Sequence, residues 1–251
     1  MARLLFSFLL IIACVREGVA QQTIYDEARV PFRREMYGGG VLHGNGWGIH
    51  FHHAKYRTAT NRRLLSVEVV GMRHPKEVKS FNPYFEDSRG YYYGKLNTFT
   101  ILRPTYGRKI QLTDKIRRSG VEINWLWGIG PSIGLLKPVY LEIVEFDATS
   151  TGSFSIERYD PDSHDVQNIY GRAGWFNGLA EMRPYLGGFG RTALNFEYAG
   201  RITGIKAIET GIALDAYPVE VPIMAQFEGV ANKRFFFQFY IAVQFGKRYL
   251  Q

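Results

Sequence analysis

Large apolar residues alternate with small or polar residues through much of the chain. The pattern is clearest at 234–246, where Phe235, Phe237 and Phe239 alternate with Phe236, Gln238 and later polar or small residues. Because successive side chains of a strand point to opposite faces, this spacing predicts a strand with one strongly apolar face. Weaker versions of the pattern predict seven further strands, at 36–43, 47–57, 64–73, 91–103, 121–136, 193–198 and 206–216.

The chemistry of the two faces indicates a membrane protein. A soluble sandwich would also alternate, but its outer face would be rich in Lys, Thr and Glu. Here the second face consists mainly of Gly, Ala, Asn and single acids such as Glu122 and Glu209, which suits the cramped inside of a narrow barrel. The first face is nearly free of charge, as lipid contact requires. The sequence therefore predicts an all-β, eight-stranded antiparallel transmembrane β-barrel.

The connections can be assigned to the two ends of such a barrel. Outer-membrane barrels have an even number of strands, both termini and short turns in the periplasm, and longer loops outside. Asn45-Gly46 predicts a tight hairpin between the first two strands, although a single long strand through these glycines is an alternative. Residues 106–119 form a predicted periplasmic turn. Residues 137–185 form one long extracellular loop, in which 139–147 predicts a further strand and 175–181 a short helix.

The N-terminus has the features of an export signal. The apolar run at 4–13 is too short to span a bilayer as a helix, and small residues lead to Ala20. We therefore predict a cleaved signal peptide at 1–20 and a mature barrel at 21–251, located in the outer membrane of a Gram-negative cell. A buried N-terminal helix is an alternative. Cys14, the only cysteine, follows Ile-Ile-Ala and leaves a lipid-anchored form as a second alternative.

The chain has 251 residues and a formal net charge of +8. On the predicted topology the positive charge gathers at the periplasmic end. A basic face there would attract an acidic protein surface or anionic lipid headgroups, whereas the simpler interpretation is an interfacial anchor of snorkelling side chains. Nucleic acid is not expected as a partner of an exported protein. The predicted partner-binding residues are Arg33, Arg34, Arg62, Arg63, Lys115, Arg117, Arg118, Arg201, Lys247 and Arg248.

Two groups of residues could in principle hold a metal ion. His50 and His52 share a strand face, but no acid follows with ligand spacing, so we expect interior polar residues rather than a metal site. Asp160, Asp162 and Asp165 could hold calcium in the long loop, but the glycine and terminal Glu of an EF-hand loop are missing. An ordinary solvated turn is the expected structure there.

Acids predicted to point into the barrel need partners, because a buried charge is costly unless it is paired. We expect a packed polar plug, with Lys206, Lys95 or His50 as candidate partners. The interior acids are Glu68, Glu122, Glu197, Glu209 and Asp215.

Hydrolysis or acyl transfer would need catalytic groups near the outer rim. His74, Asp87 and Ser88 are the nearest combination, but their spacing does not make a triad. A nucleophile elbow and a phosphate-binding loop are both absent from the sequence. We therefore predict that the protein is not an enzyme and has no catalytic, metal or cofactor site.

Several stretches resemble a group of small outer-membrane barrels of Bacteroidota, and the resemblance covers most of the mature chain. It implies a structural anchor or docking component that accompanies the type IX secretion and gliding machinery, beside a periplasmic ring of lipoprotein and partner subunits. It implies no catalytic residue. A surface-binding or adhesion barrel acting through 137–185 is the first alternative, and a barrel enzyme the second. The motifs are Gly46-Trp-Gly, Phe81-Asn-Pro-Tyr-Phe, Tyr93-Gly-Lys-Leu-Asn97, Leu135-Leu-Lys-Pro-Val-Tyr-Leu-Glu142, Asn168-Ile-Tyr-Gly-Arg172, Leu194-Asn-Phe-Glu197, Leu214-Asp-Ala-Tyr-Pro218 and Phe239-Tyr-Ile-Ala-Val-Gln-Phe-Gly-Lys-Arg248.

Overall fold

The structure is a computed structural model that describes residues 32–113, 120–146, 152–198, 203–226 and 229–250. The predicted signal peptide at 1–20 lies outside the described residues. Four of the predicted partner-binding residues, Lys115, Arg117, Arg118 and Arg201, also lie outside them. Among the described residues, no helix is long and apolar enough to cross a membrane.

Eight strands close into one antiparallel barrel, which confirms the predicted fold class. Their order around the barrel is β1-β13-β12-β11-β7-β6-β3-β2, so the first strand pairs with the last. The described strands are β1 (Arg34–His43), β2 (Gly46–Tyr56), β3 (Asn61–Met72), β4 (Lys79–Ser80), β5 (Tyr91–Tyr92), β6 (Asn97–Thr113), β7 (Val121–Pro138), β8 (Tyr140–Phe146), β9 (Gly152–Arg158), β10 (Ile169–Arg172), β11 (Arg183–Tyr198), β12 (Gly204–Val221) and β13 (Lys233–Tyr249).

Two barrel strands differ most from the predicted bounds. β6 runs over Asn97–Thr113, whereas the sequence predicts a strand at 91–103 and a turn from 106. Its second half was missed because its inward positions carry Lys109 as well as small residues, which weakens the alternation. β11 begins at Arg183, ten residues before the predicted start, because a glycine-rich stretch contributes few large side chains to either face.

The predicted Asn-Gly hairpin is confirmed between β1 and β2, where Gly44 and Asn45 form the turn. The backbone N–H of Asn45 donates to His43 Nδ1 at 3.3 Å. A Cβ atom on Gly46 would lie 2.1 Å from the Gly71 carbonyl oxygen of β3, so only glycine fits at this position. The hairpin is therefore fixed by close backbone approach as well as by turn preference.

The long connection between β7 and β11 folds into a layer of its own. The predicted strand at 139–147 is confirmed as β8, which lies between β10 and β9 in a three-stranded sheet. The predicted helix at 175–181 is a single 3-10 turn, Leu179–Glu181. Buried Tyr91, Leu141, Ile143, Tyr159 and Ile169 form a small apolar core in this layer. Burial raises the pKa of Tyr159 to about 12, and its hydroxyl oxygen accepts from the Gly94 N–H at 3.2 Å.

Exposure alternates along the barrel strands as the sequence predicts. On β13, Phe239 is 71% exposed, whereas the intervening Ala242 and Gln244 are buried. The exposed apolar run extends from Phe235 to Phe245. With a rise of about 3.3 Å per residue and a tilt of about 40°, this run covers roughly 25 Å of membrane depth, the height of the apolar band in outer-membrane barrels.

We predict that Phe239→Arg destabilises the folded barrel by about 2–4 kcal/mol, because it puts a charge on the lipid face near the middle of the apolar band. The measurement is the free energy of unfolding by guanidinium in phospholipid vesicles. Tyr249→Arg, at the end of the same strand, is the matched control and is expected to cost about 0–1 kcal/mol. Equal effects of the two substitutions would contradict the assignment of this face to lipid.

Candidate functional site

The barrel interior holds a dense set of charged side chains. Strand alternation directs six acids and five bases inward, each of them 9% exposed or less. The five acids predicted to face the interior are confirmed there. The acids are Glu35, Glu68, Glu122, Glu197, Glu209 and Asp215, and the bases are Arg62, Arg103, Lys109, Arg191 and Arg248.

Glu35 on β1 is the centre of a cluster near the end of the barrel that carries the chain termini. Its carboxylate accepts from Arg248 Nε at 2.9 Å and from the Tyr56 hydroxyl at 2.5 Å. Arg62 Nη1 lies 3.5 Å and Lys109 Nζ 3.8 Å from the two carboxylate oxygens. Four strands thus direct polar groups at one acid.

The same three cations reach two acids on the opposite wall. Arg62 Nη2 donates to Glu122 Oε1 at 3.0 Å. Arg248 donates to Glu197, and Lys109 Nζ lies 3.5 Å from the second Glu197 oxygen. Three acids and three bases therefore form a balanced cluster that spans the lumen from β1 to β7 and β11, as buried charges require. We call it the terminal-end cluster.

A second cluster lies nearer the barrel end opposite the chain termini, and Arg103 of β6 is its centre. Arg103 donates to both oxygens of Asp215 at 3.0 and 2.5 Å, and to Glu68 Oε1 at 2.5 Å. Ser132 donates to Asp215 at 2.7 Å. Arg191 Nη1 lies 3.3 Å from Glu68. The forked guanidinium geometry makes such pairs strong and directional.

Arg191 also joins this outer cluster to the middle of the lumen. Its Nη1 lies 3.6 Å from Glu209, which accepts from the Tyr240 hydroxyl and from Gln244 Nε2, each at 2.7 Å. Gln244 in turn accepts from Asn195 Nδ2 at 2.7 Å. The polar groups therefore continue along the barrel axis, and side chains occupy the lumen as expected for a narrow barrel.

The interior partners of the acids differ from those predicted. Lys206 points outward, and Lys95 pairs with Glu77 at 2.6 Å in the loop layer. His50 is buried in the lumen, but the acids pair mainly with arginines, because strand alternation turns Arg62, Arg103, Arg191 and Arg248 inward.

Arg62 and Arg248 are therefore wrongly predicted as exposed rim residues. In Arg62-Arg63 and Lys247-Arg248, adjacent residues of a strand point to opposite faces, so one base of each pair enters the lumen. Arg63 and Lys247 take the outer face instead. Arg33 and Arg34 are also exposed at this end, as the rim prediction requires.

An apolar cap closes the mouth of the lumen at the end opposite the chain termini. It contains Val70, Met72, Phe99, Ile101, Leu136, Tyr217, Val221, Ile223, Met224 and Phe236. The loop between β12 and β13 contributes to it and is held down by polar side chains. Asn232 Oδ1 accepts from the N–H groups of Ile223 and Met224 at 3.1 Å each, and Asn97 Nδ2 donates to the Pro222 carbonyl at 2.7 Å. The charged lumen therefore ends in a packed hydrophobic layer.

The two metal candidates have ordinary structural environments. His52 Nδ1 lies 2.6 Å from Ser66 Oγ, and the His50 and His52 rings contact with centroids 4.4 Å apart. Asp160 accepts from the backbone N–H of Asp162 in a turn, as predicted. Within the described part of the chain, no group of three His, Cys, Asp or Glu residues could hold a metal ion.

The residues of the considered triad have separate partners in the loop layer. His74 Nε2 lies 3.2 Å from the Ala231 carbonyl, and Ser88 Oγ donates to the Asn82 carbonyl at 3.1 Å. The backbone carbonyl of Asp87 accepts from the Tyr170 hydroxyl at 3.3 Å. These contacts stabilise loops.

We predict that Arg103→Met destabilises the barrel by about 3–5 kcal/mol, because it leaves Glu68 and Asp215 buried without their main partner. The free energy of unfolding in vesicles measures this. Combining Arg103→Met with Glu68→Gln and Asp215→Asn is the control, since removing the whole buried group restores much of the stability. An unchanged free energy for Arg103→Met alone would rule out a structural role for the outer cluster.

Comparison with known proteins gives distant structural matches, among them two structures of one protein. No protein-family description and no curated protein matches the chain. Among solved structures, the chain is similar to Ail, the attachment invasion locus protein of Yersinia pestis, with 9% identity and a TM-score of 0.38 over 87% of this chain and 99% of Ail. A structure of Ail with the heparin analogue sucrose octasulfate matches with 8% identity and a TM-score of 0.36, over 87% of this chain and 97% of Ail.

Proposed function

We propose that this outer-membrane barrel is a structural scaffold that docks a periplasmic assembly and does not conduct solutes. The observation that supports the proposal most is the closure of the lumen by ion pairs and by an apolar cap. Arg103 is 1% exposed and donates to both Glu68 and Asp215. In the apolar cap, Phe99 and Val221 are fully buried. A conducting barrel needs a continuous water-filled path, which packed side chains remove. Function then falls to the two ends of the barrel.

The docking role rests on the positive charge at the terminal end. Arg33 is exposed just before β1. The sequence predicts four further basic residues at this end, which lie outside the described residues: Lys115, Arg117, Arg118 and Arg201. Long-range attraction by clustered cations raises the encounter rate with an acidic protein surface. The resemblance to Bacteroidota barrels suggests a specific partner, the periplasmic ring of type IX secretion.

The loop layer supports a second candidate, surface binding. Phe154, Trp175 and Phe176 are 64%, 66% and 78% exposed on this layer, beyond the barrel. Exposed aromatic groups of this size are typical of interaction sites, because they gain most from being covered. A ligand or partner outside the cell is therefore the alternative to periplasmic docking.

A photo-crosslinking amino acid placed at each end separates the two candidates. At Ala59, in the exposed β2–β3 turn, we expect adducts with periplasmic proteins in intact cells. At Phe176, on the loop layer, we expect few adducts. Mass spectrometry of the adducts gives the result. Adducts only at Phe176 would favour surface binding and refute periplasmic docking.

Charge reversal tests how the periplasmic partner is recognised. Arg117→Glu with Arg118→Glu should reduce recovery of periplasmic partners in a pull-down by about tenfold or more, since rim charges of this kind govern encounter and register. Lys233→Glu with Arg234→Glu reverses an adjacent basic pair at the opposite end and is the matched control. Equal recovery with both double variants would argue against electrostatic docking.

A further inference from the structure

Four cations form a continuous row on the outer surface of the barrel. The strand register pairs Arg34 with Lys55, Lys55 with Arg63, and Arg63 with Arg108, across β1, β2, β3 and β6. Arg34 and Lys55 are exposed, and Arg63 and Arg108 are half-buried. Each pair is directly opposed, so the Cβ atoms are about 4.5–5.5 Å apart. We call these four residues the cationic row.

Such a row is unfavourable by itself, because like charges directly opposite one another on a sheet repel. The neighbouring acids do not relieve it. Glu35, Glu122 and Glu197 point into the lumen, where Arg62, Lys109 and Arg248 are their partners. Within the described residues, none of the four cations of the row takes part in an ion pair. The row therefore presents uncompensated positive charge to its surroundings.

Those surroundings include the edge of the apolar band. The next outward residues on β1, β3 and β6 are Met36, Leu65 and Tyr106, which are 40%, 51% and 43% exposed. The guanidinium of Arg63 lies 5.9 Å from the centre of the Tyr106 ring. Long basic side chains at such a boundary lay their stems on apolar surface and extend their charge to the lipid headgroups.

Arg108 lies among apolar residues on β6. β6 continues beyond it to Thr113, and the next outward residues, Ile110 and Leu112, are apolar. On β7 its register partner is Trp127. A guanidinium with apolar neighbours along the strand on both sides lacks protein acceptors among the described residues, and a phosphate oxygen pair matches its forked donors.

We propose that the cationic row binds the headgroup phosphates of anionic phospholipids, in the leaflet at the barrel end that carries the chain termini. Anionic lipid is favoured over zwitterionic lipid because a zwitterionic headgroup brings its own positive charge to a surface that already has an excess. Arg34 and Arg63 then face lipid instead of a periplasmic protein. The proposal does not depend on the proposed docking function, which uses Arg33 and the turn residues.

Native mass spectrometry of the full chain in detergent micelles tests the proposal. The probes are phosphatidylglycerol and phosphatidylethanolamine with the same acyl chains. We expect tighter binding of phosphatidylglycerol, and about 25-fold weaker binding after Arg63→Gln with Arg108→Gln, since each basic residue near an anionic surface contributes a factor of about five. Arg63→Lys with Arg108→Lys, which keeps the charge, should retain most of the binding.

Lys233→Gln with Arg234→Gln, at the extracellular end of β13, is the matched control and should bind like the parent. Equal affinity of the parent and of Arg63→Gln with Arg108→Gln would overturn the proposal. Equal affinity of the parent for the two lipids would overturn it too. Millimolar inorganic phosphate is a competitor, and full displacement of lipid by it would assign the row to free phosphate and refute the lipid site.

Thermal unfolding of the single variant Lys55→Gln tests the proposal with one substitution at an exposed residue. In micelles without anionic lipid, the substitution should raise the unfolding temperature, because it removes the two repulsive pairs that Lys55 makes with Arg34 and Arg63. In micelles with phosphatidylglycerol it should lower the unfolding temperature relative to the parent, because a lipid contact is lost. The same sign in both conditions would contradict the lipid assignment.

Discussion

Every backbone N–H and C=O group within a membrane must find its partner in the protein, because hydrocarbon offers none. In this chain, pairing of β1 with β13 closes the sheet and leaves no open edge in the barrel. Closure also fixes which side of each strand faces lipid. Since side chains alternate strictly, the odd or even position of a residue along its strand decides whether it faces hydrocarbon or the lumen. Lys247 and Arg248 are neighbours in sequence but have opposite environments for this reason alone.

This alternation directs charged side chains into the lumen, where burying them costs free energy that the protein must offset. Charges forced inward lose their hydration, and attraction repays this only where geometry is good and further hydrogen bonds satisfy the remaining atoms. Arg103 meets this condition through the forked contact with Asp215, and Glu35 through Tyr56 and Arg248. Apolar side chains could have filled the same space. Ion pairs add a preferred partner for each strand, and they connect strands that are not hydrogen-bonded to each other, as Arg62 of β3 and Glu122 of β7 do.

Alternation is a local signal, so it predicted the parts of the fold that depend on local order. The eight strands, the lipid face of β13 and the inward direction of Glu122 and Asp215 follow from spacing alone. The partners of those acids depend on which strands face each other across the lumen, and nothing in the spacing of Glu122 indicates Arg62, sixty residues away. Counting the alternation through Arg62 and Arg63 would have placed one of the two bases inside the barrel. Glycines before 193 concealed the start of β11, because a residue without a side chain marks neither face.

One strand register produces both the terminal-end cluster in the lumen and the cationic row on the outer surface. Along β1, Arg34 faces out and Glu35 faces in, and on β3 Arg63 faces out and Arg62 in. All the described acids at this level occupy inward positions of their strands, so the described part of the outer surface keeps bases alone. Replacing Glu35 would leave the lumen with excess positive charge, whereas reversing Arg34 would place an acid beside Lys55 on the outer surface. The lumen is therefore balanced in charge at this end, whereas the cationic row leaves the described outer surface positive.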